Sequence, residues 1–137
     1  VVEKKQPEKR KAVGDRAFLA LVVVAAGWLV PGLGHLLLHR WGRALVFFVG
    51  VGALATTGLA LRGNIFSASS GDAFDMLGFF ADFGAGIFYF VSKFIEHGGP
   101  DVSRAAGDYG TRFFATAGVL NLLCVLDAHE IARGRKA

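Results

Sequence analysis

Residues 44–61 read ALVFFVGVGALATTGLAL, eighteen consecutive positions without a charge. At 1.5 Å per residue such a helix is about 27 Å long, close to the hydrocarbon thickness of a bilayer. Trp41 and Arg43 stand just before it, and Arg62-Gly63-Asn64 just after. An indole ring and snorkelling Arg side chains favour the membrane–water boundary, while Gly and Asn favour a helix stop. The stretch predicts a transmembrane helix. Within it Gly52, Thr56 and Ala60 recur every four residues, an edge of small side chains that lets another helix backbone approach.

Toward the N-terminus, residues 17–30 form a second apolar run, short for a full span. Pro31, Gly32 and Gly34 follow and should stop or bend it. A basic start before an apolar run also fits a secretory signal, but no A-x-A-like cleavage site follows. A retained helix, short or bent at Pro31, is expected. Toward the C-terminus, residues 75–95 predict a third span rich in Phe, with Ser70 or Asp72 as N-cap after a loop over 67–72. Residues 96–110 read as a polar connector broken at Gly98-Gly99-Pro100, and residues 112–128 as the last span. Its face is Ala117, Asn121, Cys124 and Ala128.

Composition agrees. Of 137 residues 53% are hydrophobic and only 19% charged, with a mean hydropathy of +0.48, well to the apolar side of soluble domains. The charge is polar in distribution: six of fifteen Lys and Arg lie in residues 1–16 and three in residues 131–137. These ends suit anionic lipid at a cytoplasmic surface better than nucleic acid. The chain therefore divides into a basic cytoplasmic segment (1–16), mobile or helical at the membrane surface, one transmembrane helical domain (17–130) and a basic tail (131–137). The fold class is an all-α integral membrane bundle of about four helices. Four full spans with both termini inside place 10 Lys and Arg inside and 5 outside; a re-entrant first helix gives 11 and 4. Four spans are preferred, in a bacterial inner membrane.

The run Val30-Pro31-Gly32-Leu33-Gly34-His35 through Trp41-Gly42-Arg43-Ala44 resembles a signature of small bacterial membrane proteins of unknown function, similar in layout to the two-transmembrane-helix domain family. The C-terminal stretch from Thr111 through Asn121 to Ala132 resembles one such uncharacterised family. His39 stands where that pattern usually has Gly. The resemblance implies a multi-pass membrane protein and carries no activity.

Few residues offer chemistry. His35 and His39, at i and i+4, would share a helical face and could ligate a haem or chlorophyll, or bond backbone freed by the Pro-Gly turn. No Cys or carboxylate completes a metal site beside them, and Cys124 is expected to be a buried, inert thiol. Gly32-x-Gly34 lacks the third glycine of a dinucleotide loop, and His129-Glu130 lacks the second His of a zinc-protease motif. Asp127, His129 and Glu130 read as a solvated helix end.

Asp82 is the most informative position. An acid inside a span is costly and faces a partner or a water path. With Asp75, Tyr89 and Lys93 it lines one helix side, with Gly78 and Ala85 between them.

No catalytic constellation is legible, so no enzyme activity is expected. The leading expectation is a non-enzymatic accessory or structural subunit packing against a larger membrane complex. The contacts would be made by Asp82, Gly52, Thr56, Asn121 and Gly78. Dense Phe suits lipid, carotenoid or chlorin rings, so a photosynthetic or respiratory host fits, although no cofactor is predicted outright. The alternatives are a chlorophyll- or haem-binding protein using His35 or His39, and a small proton or ion channel or carrier using Asp82.

Overall fold

The computed structural model describes residues 2–66, 72–95 and 105–135, and the side chains from Pro7 onward. Ser70, Gly98-Gly99-Pro100 and most of the loop at 67–72 lie outside these residues. Among the described residues six helices follow in order: α1 (Val2–Leu29), α2 (Leu33–Leu37), α3 (Trp41–Ala60), α4 (Ala73–Phe83), α5 (Ile87–Ile95) and α6 (Ala105–Ala132). No strand occurs among the described residues. Three helices are long and apolar enough to cross a membrane, and the α4–α5 pair makes a fourth if counted as one span.

Two boundaries differ from the sequence expectation. The basic segment is continuous with the first helix, so α1 is 28 residues long rather than short. Lys, Glu, Gln, Arg and Ala are good helix formers, and Pro7 removes a single backbone bond near the helix start. The helix does stop before Pro31, as expected. The predicted span at 75–95 is broken: α4 and α5 meet at 111°. The break is Gly84-Ala85-Gly86, with Gly86 at φ +62°. Asp72 caps α4 as expected, its Oδ1 accepting from Phe74 N–H. The last helix begins at Ala105, seven residues before the predicted span.

Contacts along α6 fix the layout. Arg43 of α3 reaches Asp127, and Gly58 of α3 packs on Gly110 and Phe114, so α3 and α6 are antiparallel along their full lengths. Arg16 of α1 lies over Gly134, Val23 packs with Ala128, and Trp28 meets Asn121. Helix α1 is therefore also antiparallel to α6, and its end reaches only the middle of α6. The chain turns there at Gly32 (φ +85°), and Gly34 of α2 packs back on Val23 and Ala128.

The second hairpin mirrors this from the other end. Helix α4 brings Gly84 to Gly118 and Leu122 at mid-α6. Both Gly78 of α4 and Lys93 of α5 then reach residues 65 and 66. In one straight helix those two positions would stand about 22 Å apart. Thus α5 folds back instead of continuing. Two hairpins enter the α3–α6 pair from opposite ends, and the start of α1 and the end of α6 share one end.

The outer faces carry the bulk of the large apolar side chains. Phe74, Leu77 and Phe94 are 69–82% exposed, while the interior is built around Val51, Ala55, Ile65, Ala85, Phe114 and Ala117. Large outside and small or polar inside is the pattern of helices whose solvent is lipid.

Candidate functional site

The two hairpin tips meet at Asn121 of α6. Its Nδ2 donates to Trp28 O (3.1 Å) at the end of α1 and to Gly84 O (2.8 Å) at the end of α4. Trp28 returns the link, its indole Nε1 donating to Phe83 O at 3.0 Å. The last carbonyls of a helix lack intrahelical donors, and in hydrocarbon water cannot supply them. One amide and one indole therefore cap two broken helices at once. The Asn121 side-chain oxygen, Oδ1, is buried with no hydrogen-bond partner among the described residues. Gly86 lies so close under Trp28 that a Cβ would overlap the Trp28 carbonyl, and a Cβ at Gly118 would overlap that of Ala81.

A second polar group gathers around the extended segment after α3. Asp82 is fully buried, and its Oδ2 accepts from Phe66 N–H at 2.8 Å. Tyr89 donates to Phe66 O at 3.5 Å, and Lys93 Nζ donates to Ile65 O at 2.7 Å. Gly78 supports the same residue, since a Cβ there would crowd the Phe66 ring. The predicted polar side of the third span therefore survives its bend, gathered on the backbone of residues 65 and 66. Asp75 is half-buried at the start of α4.

The third group lies at the end carrying the termini. His35 is 1% exposed, packs against the tilted Phe47 ring at a centroid distance of 4.8 Å, and its Nε2 lies 2.9 Å from Asp127 Oδ2. Arg43 donates to the same carboxylate oxygen at 3.2 Å. Asp127 thereby ties α2 and α3 to α6. It is not the solvated residue the sequence suggested: its place next to the face of Ala117, Asn121, Cys124 and Ala128 turns it partly inward. That flanking position was the available signal.

His35 and His39 do not share a face. Helix α2 ends at Leu37, and His39 is exposed with φ +58°. The left-handed turn is therefore made at the position where the resembling pattern has Gly. His35 Nε2 is engaged by Asp127 Oδ2, so the two imidazoles do not form a pair on one helix. No group of three potential metal ligands occurs among the described residues.

The Gly52–Thr56–Ala60 edge is not the surface that packs on α6. Thr56 is exposed and bonds back to Gly52 O at 2.7 Å, Ala60 is exposed, and a Cβ at Gly52 would meet the Phe88 ring of α5. Close approach to α6 is made instead by Val51, Ala55 and Gly58. The expected α6 face is buried as a whole, Cys124 included.

These features define a polytopic α-helical membrane protein in which polar side chains hold irregular backbone inside the bundle. The chain belongs to a family of unknown function (DUF6677), which matches residues 22–137. Neither a curated protein nor a solved structure matches it.

Proposed function

We propose that this protein is a non-enzymatic structural subunit that packs against another membrane protein through the outer face of α4 and α5. One observation carries this: inside the bundle, Asp82, Asn121, Trp28 and Lys93 all bond the chain's own backbone. Intramembrane polar groups usually mark a substrate or ion path; here each of these four side chains is held by at least one backbone hydrogen bond, with Asn121 Oδ1 left over. What remains available is the aromatic outer face, where Phe74, Leu77, Phe80 and Phe94 are exposed. The host is a bacterial inner-membrane complex, photosynthetic or respiratory in type, and the termini are cytoplasmic. Arg40 and Arg43 return to the end that carries the termini, which supports the distribution of 11 Lys and Arg against 4.

The test is purification of the full chain from its native membrane in mild detergent. A partner at fixed stoichiometry is expected, and Phe94→Ser should release it while the protein's own helix content stays unchanged. A monodisperse protein without a partner would overturn the proposal.

A further inference from the structure

At the end of the bundle that carries the termini, α1 and α6 leave a groove of about 370 Å³ between them. Ala17, Leu21 and Val24 form one wall, and Val125 and Leu126 the deep part of the other. The α6 wall then changes character: His129 and Arg133 line the outer part. Because the helices are antiparallel, Val24 faces the deep end and Ala17 the cationic mouth. From Val125 to Arg133 the groove runs about 12 Å along α6.

The mouth is more basic than its lining alone. Arg16 lies over Gly134 beside it. Arg10 stands seven residues before Ala17, two turns further out on the same α1 face. Among the described residues neither Arg16 nor Arg133 has an ion-pair partner, whereas Arg135 pairs with Glu130 at 3.4 Å and Arg43 with Asp127. Glu130 Oε1 lies 3.9 Å from His129 Nδ1 and 3.4 Å from Arg135 Nη1, and Asp15 stands next to Arg16 on α1.

We propose that this groove binds an anionic phospholipid, one acyl chain lying along Ala17–Val24 and the phosphate seated on Arg133 and Arg16. An apolar cleft ending in two cations matches the amphipathic outline of a lipid, not that of a helix, whose polar ends are separated by a full span. Basic pockets between transmembrane helices at the anionic leaflet recognise lipid head groups, and guanidinium forks suit phosphate oxygens. The chain's most basic end supplies the charge complementarity.

The experiment places the full-length protein in nanodiscs of equal phosphatidylglycerol and phosphatidylcholine and reads the retained lipid by native mass spectrometry. Wild type is expected to retain one phosphatidylglycerol in preference to phosphatidylcholine. Arg133→Gln should lower that preference about five-fold, and Arg16→Gln similarly. Ala17→Phe, at an exposed position, should remove retention of either lipid. Lys11→Gln, on the far side of α1, should change nothing. Equal retention of the two lipids by wild type overturns the proposal. So does an Arg133→Gln protein that behaves as wild type, or a Lys11→Gln loss as large as that of Arg133→Gln. Retention of a protein chain in place of lipid would do the same.

Discussion

The two hairpins make the same shape by different means. In α1–α2 the reversal is written locally: Pro31 cannot continue the helix, and Gly32 takes a left-handed φ that a side chain would resist. In α4–α5 the turn is Gly84-Ala85-Gly86 inside an otherwise apolar, Phe-rich run, and nothing local forces a bend. Glycine permits the reversal there, and the opposing tip makes it favourable. Trp28 supplies a donor to Phe83 O, which also accepts from Gly86 N–H in the turn, and Asn121 supplies one to Gly84 O. One hairpin stops because it must; the other stops because it is met.

The sharpest way to break this comparison is at the glycines of the tips. Gly86→Ala adds a Cβ at positive φ into the Trp28 carbonyl, joining backbone strain to overpacking, and should cost about 4 kcal/mol. Gly32→Ala, against Ala44 O, should cost nearly as much but loosen only α1–α2. Unfolding in denaturing detergent, followed by Trp28 fluorescence in a Trp41→Phe background, measures both.

Asn121→Leu comes next, removing one donor from two helix ends, at about 2 kcal/mol in the same titration. Hydrogen exchange should rise at both tips together. Protection lost at one tip alone would show that they do not depend on each other.

Asp127→Asn keeps the shape but removes the charge that His35 and Arg43 share. About 1 kcal/mol is expected, with α2 loosened and α4–α5 unaffected. The smallest effect belongs to Gly50→Ala, since a Cβ there meets nothing within 4 Å. Better helix propensity should leave stability unchanged or raise it by up to about 1 kcal/mol, read as a shift in the unfolding midpoint. A large loss there would mean that α3 packs differently.

Much of this was legible beforehand because it rests on local signals. Residues 44–61 read as a membrane helix by length and absence of charge, and α3 covers all of them but Leu61, its C-cap. Asp72 was legible as an N-cap, and the period of α6 named its buried face. Asp82, Tyr89 and Lys93 do gather in one place, on residues 65 and 66, but through the fold-back of α5 and not along one continuous helix. The helix break at Gly84–Gly86 was not legible, because glycine is tolerated inside membrane helices and its effect depends on what lies opposite. Asp127 was misplaced for a related reason: near a helix end a carboxylate reads as solvated until its partner, here His35 from 92 residues away, is known.

What the sequence by itself determined is a helical, membrane-embedded chain with a stop at Pro31-Gly32. Apolar length, the missing proline N–H and charge placement act within a few residues. Tertiary structure decided where the helices stop relative to one another, and that the second hairpin exists at all. A broken helix in a lipid-like interior stands only when distant donors reach its carbonyls, and those donors, Trp28 and Asn121, come from other helices.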